Sequence, residues 1–558
     1  MNNVWGLDFG TTTTYLSKSQ VIGSTNFPLR EQGSTTPFIP SIVRIGEGGV
    51  LLAGNSADSP DEDNIVRSVK RAITQRKTKE PLPVENQPQG QPQILYEDAI
   101  RSLLIRVREL LGDDLGDSAI RLGCPAMWDA SQRQELLDLA REAGFTVQYD
   151  TLIDEPVAAS MAWYEGERLK NRSPQGRVLV FDMGGGTLDV AVMNIVEAGH
   201  TPEIYVLASD GLSEAGDVLD ASIGEVLLQA AEGDAELHSE LRSRPGMLRR
   251  LARKLKEEMG QGISSSTNFV TRQRKVVELE LGIDDLKRAF EPQFERALHL
   301  VHKTLRMAEL TNWNRVNVDS FELAPMAYSA HQVRNLEITD LIRKIDYVVL
   351  VGGMSRLQLL QDMLIQNGFA ADKIYSHESL HPDQAVSLGL AVDKDYEHLN
   401  LDRPGFNFEI QWLNRQGEKC REVIYKAYDR LYPTYAGAKL LEHFWRNRHL
   451  TPASAEAEFG VFVATTTSGV RLSIEFEGVE RFGQGLKFVF GDLSHNRPQY
   501  ISIQPNGRMV LSDAYSKVVF KIDKWPVIRG NSGKLNVSQT SSSEDGTTGL
   551  PWHLLPYD

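Results

Sequence analysis

The chain carries a weak internal repeat, one short pattern that occurs twice. Near its start stands Val4-Trp5-Gly6-Leu7-Asp8-Phe9-Gly10-Thr11-Thr12-Thr13-Thr14, and near its middle Val178-Leu179-Val180-Phe181-Asp182-Met183-Gly184-Gly185-Gly186-Thr187-Leu188-Asp189-Val190. Each is an apolar run ending in aspartate, a turn of glycine and threonine, and a returning strand. Apolar runs without polar alternation read as strands buried on both faces. Glycines let a backbone approach an anion closely and aim N–H groups at it, and threonine hydroxyls add donors. An aspartate at the strand end suits the waters of a Mg²⁺ ion, which keeps much of its hydration and takes few protein carboxylates. One copy is matched by any glycine-rich hairpin. Two copies a domain length apart predict two pseudo-symmetric lobes clamping one nucleotide. The sequence has no Gly-x4-Gly-Lys-Ser/Thr loop, which excludes a P-loop enzyme.

A third element, Tyr347-Val348-Val349-Leu350-Val351-Gly352-Gly353-Met354-Ser355-Arg356, opens a helical segment at Leu357–Ile365. Strand, double glycine and helix let a flat base and ribose pack against backbone, with Arg356 free to stack on the ring. Alone it reads as a tight strand–helix turn; third in this order, it completes a set.

The three segments resemble the phosphate-1, phosphate-2 and adenosine motifs of the actin-like ATPase superfamily. Four further stretches are similar to its heat-shock protein 70 (DnaK) chaperone branch. Cys124-Pro125-Ala126-Met127-Trp128-Asp129-Ala130-Ser131-Gln132-Arg133-Gln134 resembles V-P-A-Y-F-N-D-S-Q-R-Q, and Ile153-Asp154-Glu155-Pro156-Val157-Ala158-Ala159 resembles I-N-E-P-T-A-A. His381-Pro382-Asp383-Gln384-Ala385-Val386 resembles N-P-D-E-A-V, and Asn64-Ile65-Val66-Arg67-Ser68-Val69-Lys70-Arg71 resembles the stretch bearing that family's phosphate-contacting lysine. The resemblance covers about residues 1–395.

The resemblance implies a slow ATPase that binds ATP and ADP with Mg²⁺, K⁺ being a further candidate ion. Lys70 would contact the γ-phosphate and the attacking water, and Glu155 would help orient that water or the magnesium shell. Pro156 favours a helix start that would present Glu155 to the cleft. Asp8 and Asp182 would hold Mg²⁺ through water, and Thr187 would position the γ-phosphate or nucleophile. Gly10, Thr11, Thr12, Gly184, Gly185 and Gly186 would cradle the phosphates, while Lys256, Gly352, Gly353, Arg356 and Asp383 would serve the rest of the nucleotide. The reaction would be in-line attack of water on the γ-phosphorus, without covalent catalysis. Pro125 and Arg133 match positions that relay nucleotide state to the partner surface.

Departures stand beside these matches. The family's adenine-clamp helix reads E-R-A-K-R before a serine run; here Arg253-Lys254-Leu255-Lys256-Glu257 precedes Ser264-Ser265-Ser266, so acid and base around Lys256 are exchanged. Met354 replaces a small polar residue. An Asn-rich insert lies between Trp313 and Ile345, either a partner-docking elaboration or a decorated surface. The acidic, leucine-rich interdomain linker has no clear counterpart after Tyr396, His398-Leu399-Asn400-Leu401-Asp402 being at best a remnant.

The expected architecture is α/β: a two-lobed actin-like, ribonuclease-H-like ATPase domain over 1–397, followed by a β-rich domain. Lobe I takes about 1–174 and 350–397, and lobe II about 175–349. Helical periodicity is clearest at Tyr96–Leu111, Ser131–Ala143, Leu248–Met259 and Ile283–Glu309, and Glu80–Gln93, rich in proline and glutamine, reads as a surface loop. Residues 398–529 form the β-rich domain, which resembles a diverged substrate domain without a helical lid and has a hairpin turn at Pro505-Asn506-Gly507. Residues 530–558 are expected to be a Ser/Thr/Gly-rich flexible tail ending in the apolar octapeptide Pro551–Asp558, a linear partner motif or a segment folding back on the β region.

With 60 basic against 75 acidic residues in 558, net charge −15, nucleic acid or an anionic membrane is not an expected partner. No apolar run reaches the ~18 residues of a membrane span, and Val4-Trp5-Gly6-Leu7 enters a strand at once, so a soluble, cytoplasmic protein is expected. The two cysteines, Cys124 and Cys420, give no disulfide framework or metal spacing; Cys124 has no motif-linked base and reads as a small buried hydrophobe. His377-Glu378-Ser379-Leu380-His381 matches a zinc-protease pattern, but Pro382 favours a helix start after it, leaving the two histidines in a loop rather than one turn apart on a helix. The leading expectation is an ATP-driven chaperone-like protein acting on a protein client or dedicated partner, with co-chaperones as further candidates. A nucleotide-gated interaction module with little hydrolysis, a superfamily metabolite kinase and a filament former stand as alternatives.

Overall fold

The computed structural model describes residues 4–20, 24–29, 31, 36–46, 49–59, 65–84, 93–116, 118, 120–148, 151–198, 201–260, 262, 264–310, 314–317, 320–322, 335–376, 381–392, 397–400, 402–413, 419–429, 441–445, 459–467, 469–477, 481–482, 485–489, 499–503, 508–512, 517–524 and 534–540. The chain divides into two compact units. One comprises residues 1–191, 210–301 and 345–394; the other comprises 192–209, 302–344 and 395–558.

In the first unit, each repeated phrase forms a hairpin inside its own sheet. Trp5–Phe9 pairs antiparallel with Thr13–Ser19, from Trp5↔Lys18 to Phe9↔Thr14, and parallel with Ile120–Cys124. Leu152–Asp154 extends this sheet on one side and Ser24–Phe27 on the other. The second sheet carries Gly176–Met183, parallel to Tyr347–Val351 from Val178↔Tyr347 to Asp182↔Val351. Trp5, Leu7 and Phe9, like Val178 to Phe181, are fully buried, as runs without polar alternation require.

Helices cover these sheets. Tyr96–Leu111 turns Ala99, Ile100, Leu103, Leu104, Val107 and Leu111 inward at helical spacing. Ala130–Glu142 begins with Asp129, whose side chain accepts from the N–H groups of Ser131 and Gln132 at 3.0 and 3.1 Å while Gln132 reaches back to the Asp129 N–H, a reciprocal cap. Pro245–Met259 starts three residues before its apolar periodicity because Pro245 occupies the first helical turn. Ile283–Leu310 accommodates Pro292 within it. Of the expected loop at 80–93, Pro81 bridges to Leu95, and 85–92 lie outside the described residues.

The chain then returns to where it began. Ala385–Leu390 packs against the first sheet: Ser387 Oγ lies 2.9 Å from Ser17 Oγ, Ser24 donates to the Leu388 carbonyl at 2.7 Å, and Arg121 donates to the Leu390 and Val392 carbonyls at 3.2 and 2.7 Å.

In the second unit, Thr201–Leu212 pairs parallel with Glu397–Asn400, from Glu203↔Glu397 to Val206↔Asn400. The expected linker remnant thus enters a strand, and just beyond it buried Asp402 accepts from the Ser209 N–H at 3.1 Å. Five strands between Asn407 and Val489 and six between Leu441 and Thr540 form two further sheets, as β-rich alternation predicts. Phe406, Phe408 and Tyr425 form a buried aromatic cluster there. Gln499–Ile503 and Arg508–Ser512 pair antiparallel around Pro505-Asn506-Gly507, whose turn lies outside the described residues. Lys534–Thr540, assigned from sequence to a flexible tail, is a strand parallel to Ser473–Glu477; Leu535 and Val537 alternate there with polar residues, a strand pattern within a polar composition. Within the 313–345 insert, Asn314–Asn317 and Ser320–Glu322 pair antiparallel. The octapeptide and residues 377–380 of the histidine motif lie outside the described residues. Among the described residues no helix is long and apolar enough to cross a membrane.

Candidate functional site

The two repeated turns meet face to face in the first unit. A Cβ on Gly185 would collide with the Thr12 side chain, so these turns come this close only because position 185 has none. Gly184 donates to the Thr187 carbonyl at 3.0 Å and closes the second turn. The third turn joins them through Gly352, whose φ of +80° is left-handed and whose missing Cβ would strike the Met183 carbonyl. Its N–H donates to the Pro382 carbonyl at 2.9 Å, tying in the 381–383 stretch.

Around these turns lies a cavity of about 570 Å³. Asp8, Gly10, Thr11, Thr12, Lys70, Glu155, Asp182, Gly184, Gly185 and Thr187 line it, as do Lys256, Gly352, Gly353, Arg356 and Asp383. Gly186 alone of the expected set is not on its wall; it is buried beneath the turn against Thr11 and Arg71.

Lys70 and Glu155 form a buried ion pair. Glu155 is the first residue of the Glu155–Leu169 helix, where a carboxylate is favoured by the helix dipole. Just before it, Asp154 accepts from the buried guanidinium of Arg133 at 2.5 Å, and Arg133 also donates to the Trp128 carbonyl at 2.9 Å. Burial disfavours the Lys70 ammonium, but Glu155 and Asp8 outweigh it and hold its pKa above the usual lysine value. Burial pushes the nearby Cys124 thiol far up, which fits a packing role for that residue.

The site is otherwise rich in carboxylates. Asp8 is pushed up to about 7 by burial and by Glu155, against the pull of Lys70. Asp182 is raised well above the ordinary range by burial, Glu155, Asp189 and Asp8. Asp189, absent from the expected site set, is pushed up to about 8 by burial and Glu155, and its Oδ1 is buried without a hydrogen-bond donor. The signal for it was the second aspartate of the middle phrase. Carboxylates in excess over one ammonium, Glu155 and Asp189 buried and Asp8 and Asp182 half-buried, with one oxygen of Asp189 orphaned, fit a hard divalent cation. Among the described residues no three His, Cys, Asp or Glu side chains group as direct ligands to one ion, so an ion here would retain water. Asp8→Asn is expected to raise the melting temperature of the nucleotide-free, chelator-treated protein by about 2–5 °C at pH 8, because it removes a desolvated charge repelled by Glu155. Thermal unfolding followed by circular dichroism checks this; an unchanged or lower value would mean that Asp8 carries no such penalty.

At the other end, every cation is matched. Arg356 donates to Asp383 at 2.6 Å, and Tyr15 donates to the same carboxylate at 2.7 Å. Burial works to raise Asp383, but these two donors hold it below the usual carboxylate value, so Asp383 buttresses Arg356. Lys256 pairs with Asp220 at 2.5 Å and donates to the Gly216 carbonyl at 3.1 Å; Arg253 reaches Asp220 at 2.9 Å and Asp217 at 3.7 Å. Ser68 donates to Asp217 at 2.5 Å. Tyr15, Ser68, Asp217 and Asp220 were not foreseen; Tyr15 directly follows the first repeated phrase and Ser68 lies within the stretch bearing Lys70, while Asp217 and Asp220 carry no local motif.

Residues 4–320 match the family model described as Hsp70 protein. The chain is 32% identical over 329 residues to a chaperone protein HscA homolog of Laribacter hongkongensis, the match covering 55% of this chain and 49% of the relative. It is 26% identical to a chaperone protein DnaK of Thermosipho melanesiensis, covering 69% of this chain and 58% of the relative. An HscA homolog of Methylobacillus flagellatus is also 26% identical, over 69% of this chain and 56% of its own. The chain thus spans about half the length of the curated relatives it matches. With the paired glycine turns, the adenosine-type turn and more than half of its residues inside that one model, the chain belongs to the Hsp70 family.

Proposed function

We propose that the protein is an Mg²⁺-dependent ATPase of chaperone type whose nucleotide state gates the binding of a protein client or partner. The observation that carries this reading is the buried Lys70–Glu155 pair set in a cavity whose walls include all three glycine turns. The backbone of Gly10, Gly184 and Gly185 and the hydroxyls of Thr11, Thr12 and Thr187 hold the triphosphate. Lys70 neutralises charge on the transferred phosphoryl group, and Glu155 accepts a hydrogen bond from the attacking water and orients it in line. Asp8 and Asp182, with Asp189 beside them, hold the cation; when bound, Mg²⁺ neutralises phosphate charge. K⁺ is a second candidate for the same carboxylates. In this reading 1–397 is the nucleotide domain, with lobes at about 1–174 with 350–397 and at about 175–349, 398–529 the client-responsive β-rich region and 530–558 its tail, in a cytoplasmic protein with co-chaperone partners.

The test is ATP turnover by the full chain with Mg²⁺ or excess chelator, with and without an unfolded model peptide. Turnover that needs Mg²⁺ and rises with peptide is expected. Turnover indifferent to peptide would replace the general client with a dedicated partner, and ATP binding without turnover would reduce the protein to an occupancy switch.

A further inference from the structure

A run of three side chains joins the first hairpin to the third turn. Tyr15 stands directly opposite Asp8 in that hairpin. It is buried, its ring tilts against that of Phe38 with 5.1 Å between centroids, and both residues line the cavity. The Tyr15 hydroxyl donates to Oδ2 of Asp383 at 2.7 Å, while Oδ1 of the same carboxylate accepts from Arg356 at 2.6 Å. Each oxygen thus has its own donor, and the carboxylate is held between them.

The two ends of this run differ in freedom. Arg356 leaves 57% of its side chain exposed, against 18% for Asp383. An exposed arginine has many rotamers to lose, and a carboxylate fixed from behind reduces them before ligand arrives. Burial and Asp383 push the Tyr15 phenol far up, so it remains a donor at any working pH. Burial also works against charge on Asp383, but the hydrogen bonds from Tyr15 and Arg356 prevail, and the carboxylate stays in the form that pairs with a guanidinium. The ring of a phenylalanine would pack against Phe38 equally well; only the hydroxyl reaches Asp383.

We infer that Tyr15 is a positioning residue that acts through Asp383 to hold Arg356 flat against the nucleotide base, so that the first phosphate hairpin sets the grip at the other end of the ligand. Asp383 takes an edge of the guanidinium and leaves its planar face for a ring. Gly353, on the same turn as Arg356, leaves open space there, since a Cβ on it would meet nothing within 4 Å.

The inference rests on the nucleotide reading above and on the place that reading gives Arg356. A double-mutant cycle in the full chain tests it, with ADP affinity in Mg²⁺ measured by titration calorimetry for wild type, Tyr15→Phe, Arg356→Ala and the combination. Tyr15→Phe is expected to weaken ADP about fivefold, the order of the cost of ordering one long side chain on binding. Once Arg356 is alanine, the same change is expected to add less than about twofold. In turnover, Tyr15→Phe is expected to raise KM for ATP about fivefold without lowering kcat, since Lys70 and Glu155 keep their places.

Equal weakening by Tyr15→Phe with and without Arg356 overturns the inference, because Tyr15 then supports the hairpin or touches the ligand itself. Unchanged ADP affinity in Tyr15→Phe overturns it, and so does a fall in kcat with KM unchanged. In each of these cases ADP binding by the wild type leaves the nucleotide reading standing, whereas a wild type that binds no ADP removes both. Tyr15→Phe keeps the ring against Phe38 and leaves Asp383 its pairing with Arg356, so the variant is expected to fold.

Discussion

Lys70→Ala is expected to lower ATP turnover at saturating Mg²⁺ and ATP by about 10²–10³-fold, the loss produced by removing one preorganised donor from developing transition-state charge. A second effect accompanies it. Lys70 is the cation paired with Glu155 and near Asp8, Asp182 and Asp189 in a buried site, so its loss strands Glu155. Removing one partner of a buried pair destabilises by about 3–5 kcal/mol. A dead enzyme and an unfolded one must therefore be told apart. The double variant Lys70→Met/Glu155→Gln replaces both charges and is expected to recover most of the stability and none of the turnover. Turnover that survives in folded Lys70→Ala within a factor of ten would remove Lys70 from the chemistry.

Arg133→Ala is expected to lose about 3–5 kcal/mol in urea unfolding, for the same reason at a deeper point. The guanidinium and its partner Asp154 are almost inaccessible, and Arg133 also satisfies the Trp128 carbonyl. Arg133→Met/Asp154→Leu should recover much of the loss. Because Asp154 directly precedes Glu155, turnover of folded Arg133→Ala is expected to fall as well, through misplacement of Glu155 rather than loss of a group touching ATP. A change under about 1 kcal/mol would mean that Asp154 finds solvent or another donor when Arg133 is gone.

The parts legible in the sequence are those whose chemistry and spacing are local. Asp8 and Gly10 to Thr12 stand within five residues, and Asp182 to Thr187 within six, so pattern and function coincide there. Lys70 and Glu155 were reachable only through resemblance, since an isolated lysine on a short helical turn ordinarily faces water. Asp220 and Asp217 were not legible at all. Nothing near them says that Lys256 and Arg253, a helix away, will turn toward them. In the second unit alternation correctly announced strands. Their pairing order, and the recruitment of Lys534–Thr540 as a strand, depend on long-range partners that a period of two does not specify.

The return of Ala385–Leu390 onto the first strands bears on how such a protein is made. Asp8 enters the cavity from the first synthesised strand, whereas Asp383 and the Pro382 carbonyl that accepts from Gly352 come from nearly 400 residues later. A nascent chain arrested before that point has sheet but no complete pocket, and its first sheet lacks the cover supplied by Ser387 and Leu388. Closing so long a loop is slow relative to forming local hairpins and helices. Ligand that binds only the closed form then stabilises the whole circuit by mass action, which would make protease resistance of the emerging chain switch on abruptly, with nucleotide, once the 381–392 segment clears the ribosome.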